Sequence, residues 1–362
     1  MVTPSRITLA RKRRGLTLAD LSDRAGVSLQ SLSNYETGRT APRPDTLDKI
    51  ASALEFPATF FEGSALDELP AEGISWRARS KTSARVLEAA RAAGTLGAML
   101  YDWIDERFRL PAASVPSLGK PDPETAASMV RTRWNLGEAP APNMVHLLEA
   151  HGVRVFSLDP DHAEVDAFAV WRDGVPFVFL NTLKSAERGR FDAAHELGHL
   201  VMHGSEHACS GPEAERQAND FASAFLMPRA SVLGHMPSGA HVDQILRGKQ
   251  IWNVSAMALT YRMHDLGLLS DWQYRATCAE LSRLGYRSGE PQGMDQRETS
   301  QVLTKVFAAL RSKNVRPSSV ATELGLTSEE MNRLLFGLTF TTFDGEARRP
   351  SAPVKRSLSI VR

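Results

Sequence analysis

The chain has 362 residues, with 43 Lys plus Arg, 42 Asp plus Glu and a formal net charge of +1. This length predicts two or three domains, and the balanced charge excludes a protein that is basic throughout, so nucleic-acid binding has to be local. The only cysteines, Cys209 and Cys278, are too few for a disulfide framework, which fits a reducing cytoplasm. The chain lacks both a basic-then-apolar leader and an apolar run of about 18 residues, so we expect neither secretion nor membrane contact.

Residues 6–61 predict a DNA-binding unit. Two short amphipathic helices, 18–24 and 29–36, flank a turn in which Gly26 permits the sharp change of direction. This spacing is typical of a helix-turn-helix. The apolar side chains expected to form its core are Leu21, Ala25, Val27, Leu32, Ile50 and Leu54.

The second of these helices presents short polar side chains that suit base edges, with Gln and Asn best matched to adenine. Arginines nearby are suited to contact phosphates without reading sequence. Double-stranded DNA is therefore the expected partner, although a helix-turn-helix can also bind protein. A homodimer is expected only because operators for such motifs are palindromic. The predicted DNA-binding residues are Ser28, Gln30, Ser31, Asn34, Arg13, Arg39 and Arg43.

The segment that follows predicts a connection between two units. Residues 63–73 are expected to form a hinge, and residues 83–108 a long Ala-rich helix that packs between domains or against a second subunit. A loop rich in Pro, Ser and Gly is expected over 110–123, with helices near 123–134 and 143–150 after it.

Three short apolar runs predict a small sheet. They cover 153–158, 165–171 and 176–181, and Asp173 and Gly174 predict a hairpin turn between the last two. The edge of such a sheet could pair with an extended peptide. The alternative is that the sheet simply covers the next helix.

The stretch RFDAAHELGHLVMH predicts a metal site. His195 and His199 are four residues apart, so a helix places both imidazoles on one face, and the carboxylate of Glu196 can reach a water on the bound ion. A buried face that carries two His is costly unless something pairs with them. A catalytic zinc site also needs a third protein ligand and one open position.

Glu215 is the preferred third ligand. The stretch PEAERQANDFASAFLMP predicts a helix that ends at Pro228, and Glu215 falls on its apolar face; an ion pair with an arginine is the alternative. Asn219, one turn later, is placed to accept a hydrogen bond from a ligand His and to fix its tautomer. In this arrangement Glu196 acts as the general base.

Other ligands fit less well. A pattern with His six residues after His199 fails, because that position is Ser205. His203 lies roughly 12 Å along the helix axis from His195, too far for one ion. His207 and Cys209 fall in a loop and are weaker candidates. The candidates for an oxyanion donor in the later part of the chain are Tyr261, Arg262 and His264, and their spacing favours none of them.

Residues 315–337 again suggest a weak helix-turn-helix. Glu329 and Glu330 lie where a DNA-recognition helix would begin. Carboxylates at that position repel phosphate, so we expect this segment to pack within the protein or to bind a partner. The basic tail 346–362 is expected to be disordered.

Residues 6–61 resemble the Cro/C1-type (XRE) helix-turn-helix family, and AAHELGHLVMH with ERQANDFASAFLMP resembles the ImmA/IrrE family of metallopeptidases. The resemblance implies a gluzincin-like zinc endopeptidase that cleaves a repressor, with His195, His199 and Glu215 as zinc ligands and Glu196 as the catalytic residue. In the simplest systems of this family the peptidase acts on a repressor that is a separate protein, whereas here the DNA-binding unit and the peptidase-like unit share one chain. The substrate could therefore be another protein or this chain itself.

The sequence thus predicts an α+β, mainly helical chain: a five-helix DNA-binding domain (1–63), a helical linker (64–122), a zincin-like domain with a small sheet (123–290), a small helical region (291–345) and the tail. The predicted function is a transcriptional regulator with a zinc-dependent endopeptidase domain. The main alternative is a non-catalytic regulator whose zincin domain senses a metal, ligand or partner, and a component of a toxin-antitoxin or phage-defence module is a third reading.

Overall fold

The computed structural model describes residues 1–71, 74–78, 82–119, 122–158, 164–204 and 211–339. The loop with His207 and Cys209 and the tail 346–362 lie outside these ranges. Within them the fold is mainly helical with one four-stranded sheet, so the predicted α+β class is confirmed. None of the described helices has the length and apolar character needed to span a bilayer.

The N-terminal helices form the expected helix-turn-helix. Gly26 ends the second helix at φ 62°, a left-handed conformation that glycine adopts readily. The fifth helix of the predicted domain is a short 3₁₀ helix, and Val27 of the predicted core is only half-buried. The elements are α1 (Pro4–Arg13), α2 (Leu18–Ala25), α3 (Leu29–Glu36), α4 (Pro44–Leu54) and the 3₁₀ helix Ala58–Glu62.

Helix α5 (Ala84–Asp105) lies between the helix-turn-helix and the sheet, and packs against α1 and against strand β3 (Val165–Arg172). Its two glycines permit close approach. A Cβ on Gly94 would lie 2.6 Å from Leu69 Cδ1, and one on Gly97 would lie 3.0 Å from a ring carbon of Phe179. Gly94 and Gly97 lower the helix propensity of this segment, but they also allow the sheet to pack closely on the helix.

The sheet has the order β1-β3-β4-β2, with β1 (Ser75–Ala78) antiparallel to β3, β3 antiparallel to β4 (Val175–Leu180), and β2 (Arg154–Ser157) parallel to β4. The three predicted strands and the hairpin at Asp173 and Gly174 are present, and both turn residues have positive φ. Strand β1 was not predicted. It pairs with the outer edge of β3, so β1 and β2 are the edge strands of the sheet.

The remaining helices cover the sheet and build the site. Helix α8 packs on β3, β4 and α9, and α6 packs on α9. These helices are α6 (Pro123–Arg133), α7 (Met144–Ala150), α8 (Ala186–Met202), α9 (Pro212–Leu226), α10 (Arg229–His235), α11 (Val242–Trp252), α12 (Ala256–Asp265) and α13 (Asp271–Arg283).

The C-terminal helices return to the first half of the chain. They are α14 (Gln301–Ser312), α15 (Pro317–Glu323) and α16 (Ser328–Leu335), and α16 packs against β2 and α5. Thr182, just after β4, donates a hydrogen bond to the carbonyl of Phe336 at 2.9 Å. Glu330 is buried and forms ion pairs with α1, which is the packing role expected for this carboxylate.

Candidate functional site

The site is formed where α8 and α9 cross. Ser185 caps the N-terminus of α8 by accepting a hydrogen bond from the backbone of Arg188. The contact with α9 is tight at Gly198, where an added Cβ would lie 2.9 Å from a ring carbon of Phe221. The glycine between the two histidines therefore sets how closely α9 approaches them.

Three side chains of this crossing converge. Nε2 of His195 and Nε2 of His199 are 3.0 Å apart, and the Glu215 carboxylate oxygens lie 3.4 Å from the first and 3.2 Å from the second. One candidate ligand atom from each residue lies within 4.8 Å of the others. Both histidines are buried, and the Glu215 side chain is 36% exposed.

The tautomer of His195 follows from its outer contact. Its Nδ1 lies 3.1 Å from Oδ1 of Asn219, and the same oxygen accepts a hydrogen bond from Nη1 of Arg77. Because an arginine only donates, the amide atom that faces it must be the oxygen. His195 Nδ1 is therefore a donor, and Nε2 carries a lone pair.

A second chain of contacts fixes His199. Arg216 and Gln217 lower the pKa of Glu213, so its carboxylate is ionised. This carboxylate accepts a hydrogen bond from the amide nitrogen of Gln217. The oxygen of that amide faces Nε2 of His203 at 2.9 Å, so this nitrogen is the donor. Nδ1 of His203 lies 3.0 Å from Nδ1 of His199; when His203 is neutral, its Nδ1 accepts from His199, which leaves Nε2 of His199 as a lone pair.

Two nitrogen lone pairs and a carboxylate thus point at one another with no proton donor assigned between them. Such a convergence of acceptors requires a cation, either a shared proton or a metal ion. Two imidazoles and one carboxylate are the donor set of zinc sites with an open fourth position. The residues present therefore fit a zinc ion.

Glu196 lies beside this set and is completely buried. Neither of its carboxylate oxygens has a hydrogen-bond partner among the described residues. Burial raises its pKa well above the usual range, partly opposed by the positive charge of Arg77. A buried carboxyl with free oxygens is suited to holding and releasing a proton.

The environment lowers the pKa of both His195 and Glu215, which has opposite effects on their charge. Burial, followed by the charge of Arg77, lowers the pKa of His195 to about 3, so this ring is neutral at physiological pH. Burial raises the pKa of Glu215, but a proton shared with His195 and His199 outweighs burial, holds this pKa below the usual range and keeps the carboxylate ionised. A neutral imidazole and an ionised carboxylate are the forms that bind zinc.

The other candidates have different contacts. His203 ends α8 and supports His199. Arg262 binds Glu124 and the carbonyl of Met227, and His264 contacts Asp271. Tyr261 is 44% exposed and donates to Asp220 at 3.3 Å. Their contacts do not select any of the three as an oxyanion donor.

The outer surface of α3 carries the predicted base-reading residues. Ser28 caps α3, and its hydroxyl accepts from the backbone of Ser31. Gln30 donates to the side-chain oxygen of Asn34 at 3.2 Å, and both side chains remain accessible. Arg39 and Arg43, the predicted phosphate-binding residues, are exposed on the same domain.

Arg13 contradicts its predicted role. Its side chain is 1% exposed and lies 2.5 Å from the Glu330 carboxylate, so in this fold it does not reach a phosphate. The neighbouring Arg11 is engaged by Glu36, and Arg14 by Glu330. The basic run of α1 thus serves internal packing, because its acidic partners lie on other helices.

Sequence reasoning missed four supporting residues: Arg77, His203 in its role behind His199, Gln217 and Glu213. Spacing along α9 could have found Gln217 and Glu213, since 213 and 217 are one turn apart on one helical face. Nothing in the sequence around Arg77 indicates that it would meet Asn219, which is 142 residues later.

Comparison with known proteins gives two family matches. A helix-turn-helix model matches residues 7–61, and an IrrE N-terminal-like domain model matches residues 148–264. The chain is also similar to a protein named transcriptional regulator ClgR in two strains of Mycobacterium tuberculosis. Each match is 36% identical over 109 residues, which is 30% of this chain and 84% of the relative.

Proposed function

Because the chain belongs to the helix-turn-helix transcriptional regulators and also contains an IrrE N-terminal-like domain, we propose that it is a DNA-binding regulator whose second domain is a zinc-dependent endopeptidase. Its substrate is a regulatory protein such as a repressor. The observation that carries this proposal is the convergence of His195, His199 and Glu215 beside Glu196, whose carboxyl has no hydrogen-bond partner in the described part of the chain.

Zinc would be held by the Nε2 atoms of His195 and His199 and by the carboxylate of Glu215. When bound, it supplies Lewis acidity that polarises a peptide carbonyl and acidifies a water molecule. Asn219 keeps His195 in the tautomer that leaves Nε2 available. Three protein ligands, rather than four, are typical of catalytic zinc sites.

Glu196 performs the proton transfers. Its carboxylate accepts a proton from the attacking water and then donates that proton to the nitrogen of the leaving amine, which restores the carboxylate. Its burial suits this exchange, because a raised pKa brings a carboxyl closer to neutral pH. A site that only held a metal would not need this carboxyl.

The test compares the zinc-loaded full chain with its Glu196→Gln variant, using repressors encoded at the same locus as substrates and mass spectrometry of the products. Cleavage by the first and not by the second supports the peptidase. If neither the wild type nor the variant cleaves a repressor or itself, and both give equal DNA-dependent regulation, the zincin domain acts as a sensor. Zinc bound by Glu196→Gln at the wild-type level shows that the variant lacks only the proton acceptor.

A further inference from the structure

Arg77 lies on β1, outside the region matched by the IrrE N-terminal-like model, yet its side chain contacts Asn219, the residue that faces Nδ1 of His195. We propose that Arg77 is a positioning residue of the metal site: it holds the Asn219 amide so that His195 keeps its Nε2 lone pair for the metal. The inference rests on the zinc site of the proposed function. It means that the segment joining the two domains completes the site.

The contacts of Arg77 fix its guanidinium. Nη1 donates to Oδ1 of Asn219 at 3.1 Å, and Nε lies 2.9 Å from the buried carboxylate of Asp192. The guanidinium carbon lies 5.4 Å from the ring centroid of Phe191, and the side chain is only 13% exposed. Pairing of β1 with β3, which places Arg77 opposite Ala167, sets its position along the sheet.

The physical reason is that a side-chain amide carries both a hydrogen-bond acceptor and a hydrogen-bond donor. Asn219 can present either an acceptor oxygen or a donor NH2 group to His195, and rotation about one bond exchanges them. An NH2 group facing Nδ1 would require Nδ1 to accept, and neutral His195 would then carry its proton on Nε2, where it cannot bind a metal. Arg77, which only donates, selects the oxygen-facing orientation.

Charge alone predicts the opposite result. A guanidinium near a metal site repels the metal cation, so removing Arg77 would strengthen zinc binding if its charge were what mattered. If Arg77 positions Asn219, its removal weakens zinc binding. The sign of the change in zinc affinity therefore separates the two explanations.

Arg188 provides a matched control. Its Nε lies 3.2 Å from the same Asp192 carboxylate, but its other contact is Asp166 and it is 48% exposed. Arg188→Ala thus removes a cation from Asp192 without removing the donor to Asn219. Any effect that comes from leaving Asp192 less well paired should appear in both variants.

Zinc affinity of the full chain is measured by competition with a chromophoric chelator, with circular dichroism as the check on folding. Arg77→Ala should weaken zinc binding about 10- to 100-fold, and Arg188→Ala should change it by less than about threefold. In an Asn219→Asp background Arg77→Ala should have less than about a threefold effect, because a carboxylate accepts in either orientation. Arg77→Gln, whose amide does not select an orientation, replaces Arg77→Ala if that variant does not fold.

The ring ¹⁵N shifts of His195 in the metal-free chain give a second readout. The wild type should show the Nδ1-protonated tautomer, and Arg77→Ala a mixture of both tautomers. Wild-type affinity or tighter binding in Arg77→Ala, an equal loss in Arg188→Ala, or a loss that persists with Asp at 219 overturns the proposal. If the wild type binds no zinc, the proposed function fails, and the tautomer measurement still decides the role of Arg77.

Discussion

Glu330 in α16 and Arg13 in α1 form a buried ion pair, with 2.5 Å between Oε1 and Nε and both side chains 1% exposed. The second carboxylate oxygen lies 2.8 Å from Nη1 of Arg14. One acidic residue near the C-terminus thus neutralises two arginines of the DNA-binding domain. This pair links α1 to α16, in addition to the packing of α1 on α5.

We expect Glu330→Ala to destabilise the protein by about 3–5 kcal/mol, because it removes the buried carboxylate that pairs with Arg13 and Arg14. Glu323→Ala, which breaks the exposed Arg107–Glu323 pair, should cost less than about 1 kcal/mol. Urea denaturation of both variants measures the difference. Equal, small losses would show that the Glu330 pair contributes little to the folded state.

The same pair predicts a dependence on pH. Burial opposes ionisation of Glu330, but Arg13 and Arg14 outweigh it and hold its folded-state pKa below the usual value. A carboxyl with a lowered pKa stabilises the fold fully above its unfolded pKa, about 4.3, and loses that contribution as the pH falls through the folded pKa. The stability difference between wild type and Glu330→Gln should therefore be constant above about pH 5 and should shrink on acidification. A difference that grows at low pH contradicts this assignment.

Zinc should stabilise the folded chain. At a free zinc concentration 100 times the Kd, binding to the native state alone contributes about 2.7 kcal/mol, and a chelator removes it. Glu215→Ala should abolish most of this shift, whereas Glu196→Gln should keep it, since Glu196 is not a ligand in the proposed site. Thermal melts with and without zinc test both variants, and a shift that survives in Glu215→Ala would place the ion elsewhere.

The sequence was sufficient where local patterns decide the structure. Helix α3 and the hairpin at Asp173 and Gly174 follow from capping and turn chemistry, and the His pair follows from helical spacing. It was insufficient where distant segments meet. Strand β1 has only four residues and pairs with the edge of β3, and Glu330 contacts Arg13 across 317 residues of sequence.

The DNA-binding surface of α3 predicts two kinds of effect. Gln30→Ala should cost about 1–3 kcal/mol on a preferred operator and relax the sequence preference, because it removes a base contact. Arg43→Ala should weaken binding to all sequences and reduce the salt slope by about 0.9, because it removes a phosphate contact. Fluorescence anisotropy on preferred and scrambled duplexes at several salt concentrations separates them. If neither variant alters binding, the helix-turn-helix does not read DNA through this surface.

Gly198 and Gly189 lie in the same helix α8 and should respond oppositely to alanine. An added methyl normally stabilises a helix by roughly 0.5–1 kcal/mol. At Gly189 the new Cβ would meet only the side-chain end of Arg297, at 3.4 Å, so a small gain is expected. At Gly198 it would press on the Phe221 ring, and pushing α9 away should cost about 1–3 kcal/mol.

Because α9 also carries Glu215, the Gly198→Ala variant should lose zinc affinity as well as stability, and Gly189→Ala should keep both. Urea denaturation and the chelator competition assay measure the two effects on the same samples. Retained zinc affinity in a destabilised Gly198→Ala protein would mean that α9 shifts without moving Glu215 away from the histidines. The close packing at Gly198 would then serve stability alone.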